Sequence, residues 1–264
     1  MKKDLMKIGA FILTVILLGQ TVLATNTHSI DLETDDTQYL SAADPAIFGA
    51  WAAITIEAWL KPESQPTDAQ SMDIANKLPS GGNGFRLVYS SPEGQSGVTR
   101  FSMHLGTGGT GEDFGYVITL PTTSWTHMAI QWRAVDKQTR LFINGQLYSS
   151  IAGATATGIA DNTSAFRIGA DQGAPPTVPR FDGRIDDLRI WNYYRTGGEI
   201  LNDYSRELTG NETGLAVYYK FNQNRNDSTV NGVTLTDNNS TTFQTDIPFL
   251  AELPFQEQIN PSAF

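Results

Sequence analysis

Glu57, the adjacent Asp186 and Asp187, and the histidines His28, His104 and His127 are the side chains from which acid–base or metal chemistry could be built. A glycosidase needs two carboxylates flanking the bond it cuts, about 5–10 Å apart. On a strand such a pair sits at even spacing, because residues i and i+2 share a face. Glu57 has no acidic partner at positions 55 or 59. Asp186 and Asp187 are consecutive and point to opposite faces of a regular strand. The histidines lack metal-ligand spacing, and His127, in a strand between Trp125 and Ala129, reads as a structural histidine. With no cysteine there is no thiol nucleophile, and no G-x-S-x-G elbow occurs. Gly106, Gly108 and Gly111 satisfy G-x-G-x-x-G, but Glu112-Asp113 and a further strand follow where a dinucleotide site needs a helix N-terminus. That segment reads as a hairpin loop, and the sequence reads as a non-enzyme.

Two binding chemistries remain. Calcium takes oxygen ligands from polar turns. Asp35 and Asp36, in a turn after the first strand, and Asp227, in a polar turn near the end, are the candidate ligands of a structural calcium ion. The same carboxylates could instead bond local backbone amides. Sugar recognition stacks an aromatic ring on the apolar face of a pyranose and adds polar bonds. Tyr116, Tyr193 and Tyr194 are aromatics in polar settings and are the candidate ligand-binding residues, with part-buried packing as the alternative. Trp59 and Trp191 read as packing residues.

The elements that must position these groups are short and extended. Ala53 to Leu60, Gly84 to Tyr89, Thr99 to Leu105, Gly115 to Leu120 and Trp125 to Arg133 are rich in β-branched and aromatic residues and bounded by turn formers. That pattern predicts an antiparallel sandwich or barrel. Asn144-Gly145, between Arg140–Ile143 and Gln146–Tyr148, predicts a type I′ hairpin. One helix is expected from about Thr196 to Arg206, with Thr196 as N-cap and Glu199 completing a capping box. Pro175, Pro176 and Pro179 mark a stiff loop, and residues 251–264, with Pro254 and Pro261, read as a tail or the start of a linker.

Residues 1–24 read as a secretory signal: Lys2, Lys3 and Lys7, then an apolar run from Ile8 to Leu18, then a small residue at Ala24. The run falls short of the roughly 20 residues of a bilayer crossing, so no membrane insertion is expected once the signal is cleaved. The expected location is secreted or at the cell surface. The formal net charge is −10, and without Lys2, Lys3, Lys7 and Asp4 it is −12. Such a surface repels phosphate backbones, so no nucleic-acid partner is expected. A mature chain of about 240 residues forms a full core without disulfides.

Four segments carry a family resemblance: Ile54 to Pro62; Trp125 to Ala129 running on to Arg140–Gln146; Phe166 to Gly169 leading to Phe181–Asn192; and Gly214 to Phe221. In this order and spacing the chain resembles the laminin-G-like jelly roll of the concanavalin A-like lectin/glucanase superfamily, over roughly His28 to Leu250. The resemblance implies an all-β, antiparallel two-sheet jelly-roll sandwich with at most one or two short helices, and chain ends close together. It also implies a non-catalytic module for a glycan or surface protein ligand, often with calcium near the loops. Asn222, Gln223 and Asn224 stand where similar domains often carry acidic residues, which weakens any calcium site. In the Ile185–Asn192 strand, simple alternation places Asp186 on the face of Leu188 and Ile190. The leading expectation is a carbohydrate-binding or adhesion module. The alternatives are a structural or protein-interaction domain of a larger surface protein, and, last, a divergent glycoside hydrolase.

Overall fold

Alternation along β3 (Ala53–Pro62) sets the plan of the molecule. Ile54, Ile56, Ala58 and Leu60 enter the main core, while Thr55, Glu57 and Trp59 point the other way. In the computed structural model, which describes residues 26–79, 82–106, 111–173 and 180–249, β3 is central to one of two antiparallel sheets. β8 (Thr126–Arg133) pairs with it along its length, from Ala53↔Arg133 to Leu60↔Thr126. β9 (Gln138–Ile143) and β10 (Gln146–Ala152) extend the sheet to one edge. On the other side of β3 lie β12 (Gly183–Trp191), β1 (Ser29–Leu32) and β15 (Thr242–Gln244), with β13 (Leu215–Tyr219) pairing the C-terminal half of β12.

The second sheet has the order β14 (Thr236–Asn238), β2 (Tyr39–Ala42), β11 (Phe166–Ile168), β4 (Ser71–Asn76), β5 (Gly84–Ser90), β6 (Arg100–Gly106) and β7 (Gly111–Val117). Its inward residues, among them Leu40, Phe85, Leu87, Tyr89, Met103 and Phe166, meet those of the first sheet in one apolar core. This is the two-sheet jelly-roll sandwich the resemblance implies. β1 pairs β15 at Ile30↔Phe243, so the ends of the described chain are neighbours.

Local chemistry explains the turns. Asn144 and Gly145 have φ of 47° and 77°, the positive values a type I′ turn requires. The helix α1 spans Gly197–Asp203, with Thr196 and Glu199 forming the expected capping box; it ends at Tyr204, shorter than the sequence pattern indicated. Gly106 and Gly111 are cross-strand partners at the ends of the antiparallel pair β6 and β7, and β7 rather than a helix follows the motif. Gly183 has φ 129°, and a Cβ there would lie 2.4 Å from Lys61 O, so only glycine lets β12 begin against β3. The expected signal (1–24), the tail (251–264) and the loop holding Pro175, Pro176 and Pro179 lie outside the described residues. Among the described residues no helix is long and apolar enough to cross a membrane.

The expected alternation fails in β12. Its register with β3 runs Asp186↔Trp59 and then Arg189↔Glu57, three residues against two, with Asp187 at φ 51°. This β-bulge lets Ile185 and Leu188 both enter the core and turns Asp186 and Asp187 outward together. Asp186 therefore does not share the face of Leu188 and Ile190, and the two carboxyls lie close enough for Asp187 to push Asp186 upward.

Candidate ligand-binding face

A sandwich has two outer faces, and here they differ in kind. The outer face of the first sheet is roofed by α1 and the chain flanking it. Glu57, His127, Gln131 and Arg189 point from β3, β8 and β12 into that roof and are fully buried. Glu57 accepts from Arg195 Nη1 at 2.6 Å and lies 3.6 Å from His127 Nε2 and 3.9 Å from Arg189 Nη1. Arg195 also donates to Asp203 of α1, and Arg189 to Asp187 and to the carbonyls of Asp203 and Arg206. Trp59 and Tyr204 flank the His127 ring, and Trp59 Nε1 donates to Tyr204 O at 2.7 Å. Burial lowers the His127 pKa, only partly opposed by Glu57. Burial raises Asp187 to about 6 against the pull of Arg189. Asp186, raised well above its ordinary value by burial and by Asp187, accepts from Asn26 Nδ2 and the Asp187 amide, both at 2.8 Å. These groups hold the roof down and meet no solvent.

On the outer face of the second sheet the central strands mix buried groups, Asn76, Val88 and Ser102, with the part-exposed Arg86 and His104. Cross-strand register sets one polar row on it: Arg167↔Asn76, Asn76↔Arg86, Arg86↔His104, His104↔Asp113. Each member lies beside inward apolar residues, as Arg86 does between Phe85 and Leu87, so alternation sends it outward. Asp73, at a bulge in β4, is buried behind the row. Arg86 donates to both its oxygens, Nε at 2.5 Å and Nη2 at 2.7 Å, and Asn76 Nδ2 donates at 2.7 Å. Burial raises the Asp73 pKa, with the Arg86 pair only partly offsetting it. Burial opposes the Arg86 charge, but the Asp73 contacts outweigh it and raise that pKa. His104 Nε2 stands 3.4 Å from Asp113 Oδ1, and burial lowers the His104 pKa against that neighbour.

The row leads into a cavity of about 370 Å³ lined by Asn76, Leu78, Pro79, Arg86, Asp171 and Gln172, with Gly173 at its rim. Gln172 Nε2 donates to Ala165 O at 2.7 Å and Asn76 O at 3.0 Å, fixing its wall. On the other side of the row, Gly115, Ser102 and Val88 are cross-strand partners, and a Cβ on Gly115 would lie 2.8 Å from Ser102 Oγ. A floor of small side chains thus borders a ridge of amide, guanidinium, imidazole and carboxylate. That chemistry suits the many hydroxyls of a sugar better than an apolar ligand.

The residues singled out in the sequence are not gathered here. Tyr116 is 4% exposed, in the core, with its hydroxyl 2.8 Å from Thr139 Oγ1. Its position two residues from Phe114 on β7 was the signal that it faces inward. Tyr193 and Tyr194 lie on the roof of the first sheet. Tyr193 packs edge-on against Trp191 and donates to Glu199 Oε1 at 3.0 Å, and Arg133 sits 4.2 Å over the Tyr194 ring. Asp35 and Asp36 are exposed in the β1–β2 turn. Asp227 accepts from the amides of Tyr218, Thr229 and Val233 at 2.9–3.1 Å and from the Thr229 hydroxyl at 2.8 Å. Its oxygens already satisfy a turn. Asn222 is likewise engaged with Thr27 and Glu207. Among the described residues no three His, Asp or Glu side chains are gathered as a metal cluster.

No curated relative matches the chain in sequence. Among solved structures, a candidate carbohydrate-binding protein from Bacteroides ovatus superposes with a TM-score of 0.62 at 20% identity, over 86% of this chain. The match spans 62% of that protein's length. A heptameric SAP-like pentraxin from Limulus polyphemus superposes with a TM-score of 0.59 at 14% identity, over 84% of this chain and 97% of the pentraxin. At these identities the likeness is one of fold. The laminin-G-type family model matches residues 34–201, more than half of the sequence. With the two-sheet jelly roll on which those residues lie, this match places the chain in the concanavalin A-like lectin/glucanase superfamily.

Proposed function

We propose that the chain is an exported or surface-displayed, non-catalytic module that binds carbohydrate on the outer face of its second sheet. The observation that carries the reading is the registered row Arg167–Asn76–Arg86–His104–Asp113 leading into the cavity beside Gln172. The printed description of the Bacteroides ovatus protein as a carbohydrate binder supports it. The state of the carboxylates favours binding over hydrolysis: Asp73 has both oxygens on Arg86, and Glu57, Asp186 and Asp187 are buried. A His104 held neutral can donate to one sugar hydroxyl and accept from another.

A glycan array, followed by titration calorimetry on the best polysaccharide, tests this. Binding is expected, and His104→Ala and Gln172→Ala should each weaken it about 5-fold or more, the worth of one or two hydrogen bonds. Silence across diverse polysaccharides, or affinity indifferent to both substitutions in folded protein, would refute it. A protein-ligand reading has its own support at β10, an edge strand without a charged residue on which Leu147 is 56% and Tyr148 51% exposed.

A further inference from the structure

Most guanidiniums in this acidic chain rest on a carboxylate, as those of Arg86, Arg184, Arg189 and Arg195 do. Arg167 and Arg180 do not. Their Cζ atoms stand 5.4 Å and 4.9 Å from the centroid of the same ring, Tyr39 of β2, which places the two cations within about 10 Å of each other. Arg167 Nη1 donates to the carbonyls of Asp171 at 2.5 Å and Gly173 at 3.4 Å. The Arg180 amide donates to Thr34 Oγ1, but among the described residues its guanidinium has the Tyr39 ring as its one partner. The Nε of each arginine is buried without an acceptor. The Asp182 carboxylate, nearby in sequence, accepts from the Thr34 amide, and residues 174–179, Ala-Pro-Pro-Thr-Val-Pro, contain no acid that could neutralise the pair.

Two like charges on one ring, each with an unused Nε and no carboxylate in ion-pair contact among the described residues, form a local cationic spot on a chain of net charge −10. Like charges held together without an anion are costly, and a guanidinium fork matches a carboxylate or sulfate with two parallel bonds. The spot is continuous with the row described above: Ser41, two residues from Tyr39 on the same face of β2, pairs with Arg167, which pairs with Asn76. We infer that Arg167, Arg180 and Tyr39 form a subsite for the anionic group of an acidic polysaccharide, the carboxylate of a uronic acid or a sulfate ester. This rests on the carbohydrate reading and narrows it to a charged ligand class.

Affinity electrophoresis and calorimetry of the full chain against polygalacturonate and alginate (carboxylate), heparin and dextran sulfate (sulfate), and neutral laminarin and dextran test the inference. Binding to one anionic class, absent for the neutral polymers and weakening with salt, is expected, and the class bound identifies the source of the charge. Arg180→Ala should reduce it about 10-fold or more, the worth of one hydrogen bond between charged groups, whereas Arg133→Ala, on the opposite sheet, should not. Among the described residues Arg180 makes no other side-chain bond, so its removal leaves the melting temperature within about 2 °C, given the small cost of most surface substitutions. Neutral polymers bound as tightly as anionic ones, or unchanged affinity in Arg180→Ala, would overturn the subsite. In that outcome a His104→Ala effect would leave the carbohydrate reading standing. Binding to none of the six polymers would overturn both.

Discussion

Glu57→Gln keeps the shape of a buried side chain and removes its charge, which isolates the electrostatic bond between β3 and the roof carried by α1. Burial alone would raise the Glu57 carboxyl, but the neighbouring His127 ring and the guanidiniums of Arg195 and Arg189 reverse this and bring it from 4.5 to about 2. At about 1.4 kcal/mol per pKa unit, that difference corresponds to about 3 kcal/mol of stability at neutral pH. Breaking a buried ion pair from one side costs about 3–5 kcal/mol, so two routes converge. For a domain of this size the loss lowers the melting temperature by about 6–12 °C. A folded-state pKa depressed below the unfolded value gives stabilisation that is full above about pH 4.5 and lost as pH falls toward 2. The gap between wild type and Glu57→Gln should therefore be widest above pH 5 and close toward pH 2. Asp187 has the opposite sign, since burial raises its carboxyl to about 6; Glu57 is the smallest of the causes that raise it, so the substitution changes its contribution little. Urea unfolding followed by the fluorescence of the buried Trp132 and Trp191, from pH 2.5 to 7, measures the gap. A gap under about 1 kcal/mol at pH 7, or one of equal size at pH 3 and pH 7, would refute the assignment of Glu57 as the anion that fastens the roof.

Three further outcomes follow from single contacts. Tyr116→Phe should cost about 1 kcal/mol in urea unfolding, because the Thr139 hydroxyl loses its buried partner, and leave polysaccharide affinity unchanged; a loss of binding would return Tyr116 to the site. Asp227→Ala removes the acceptor of three amides and a hydroxyl and should lower stability by about 2–3 kcal/mol, whereas a chelator should leave the wild-type melting temperature unmoved. A chelator-induced drop would show that calcium contributes. Gly183→Ala places a methyl group against Lys61 O in a backbone conformation that L-residues avoid, for a cost of about 1–3 kcal/mol by calorimetry; an unperturbed melt would contradict the tight start of β12.

What the sequence disclosed was local. The alternation of β3 and β8, the Asn144-Gly145 turn and the Thr196–Glu199 capping box each depend on a few consecutive residues, and each was legible. The β12 bulge was not, because Asp186-Asp187-Leu188 carries no glycine or proline to mark it; it exists because Ile185 and Leu188 both gain burial when one residue is looped out against β3. Tyr116 takes the packing role offered as its alternative, and Phe114, two positions away on β7, points to the same inward face.

The ligand face was illegible for a different reason. Arg86 is visibly an outward residue among Phe85, Leu87 and Tyr89, and so is His104 among Phe101, Met103 and Leu105. Nothing in either strand says that the two are cross-strand partners, or that Arg167, some eighty residues on, joins them through Asn76. Register between distant strands is set by which apolar sets can be buried together, and the polar row is a by-product of that choice. The same logic separates the two faces. On the first sheet the outward row includes Glu57, Gln131, Arg189 and His127, and a following segment with its own arginine, Arg195, and its own carboxylate, Asp203, closes over them. On the second sheet Arg86 is neutralised by Asp73 behind the row, and His104 and Asp113 keep part of their surface exposed. The inferred anionic subsite lies on this same face, where the Arg167 and Arg180 guanidiniums share the Tyr39 ring and have no bonded carboxylate among the described residues.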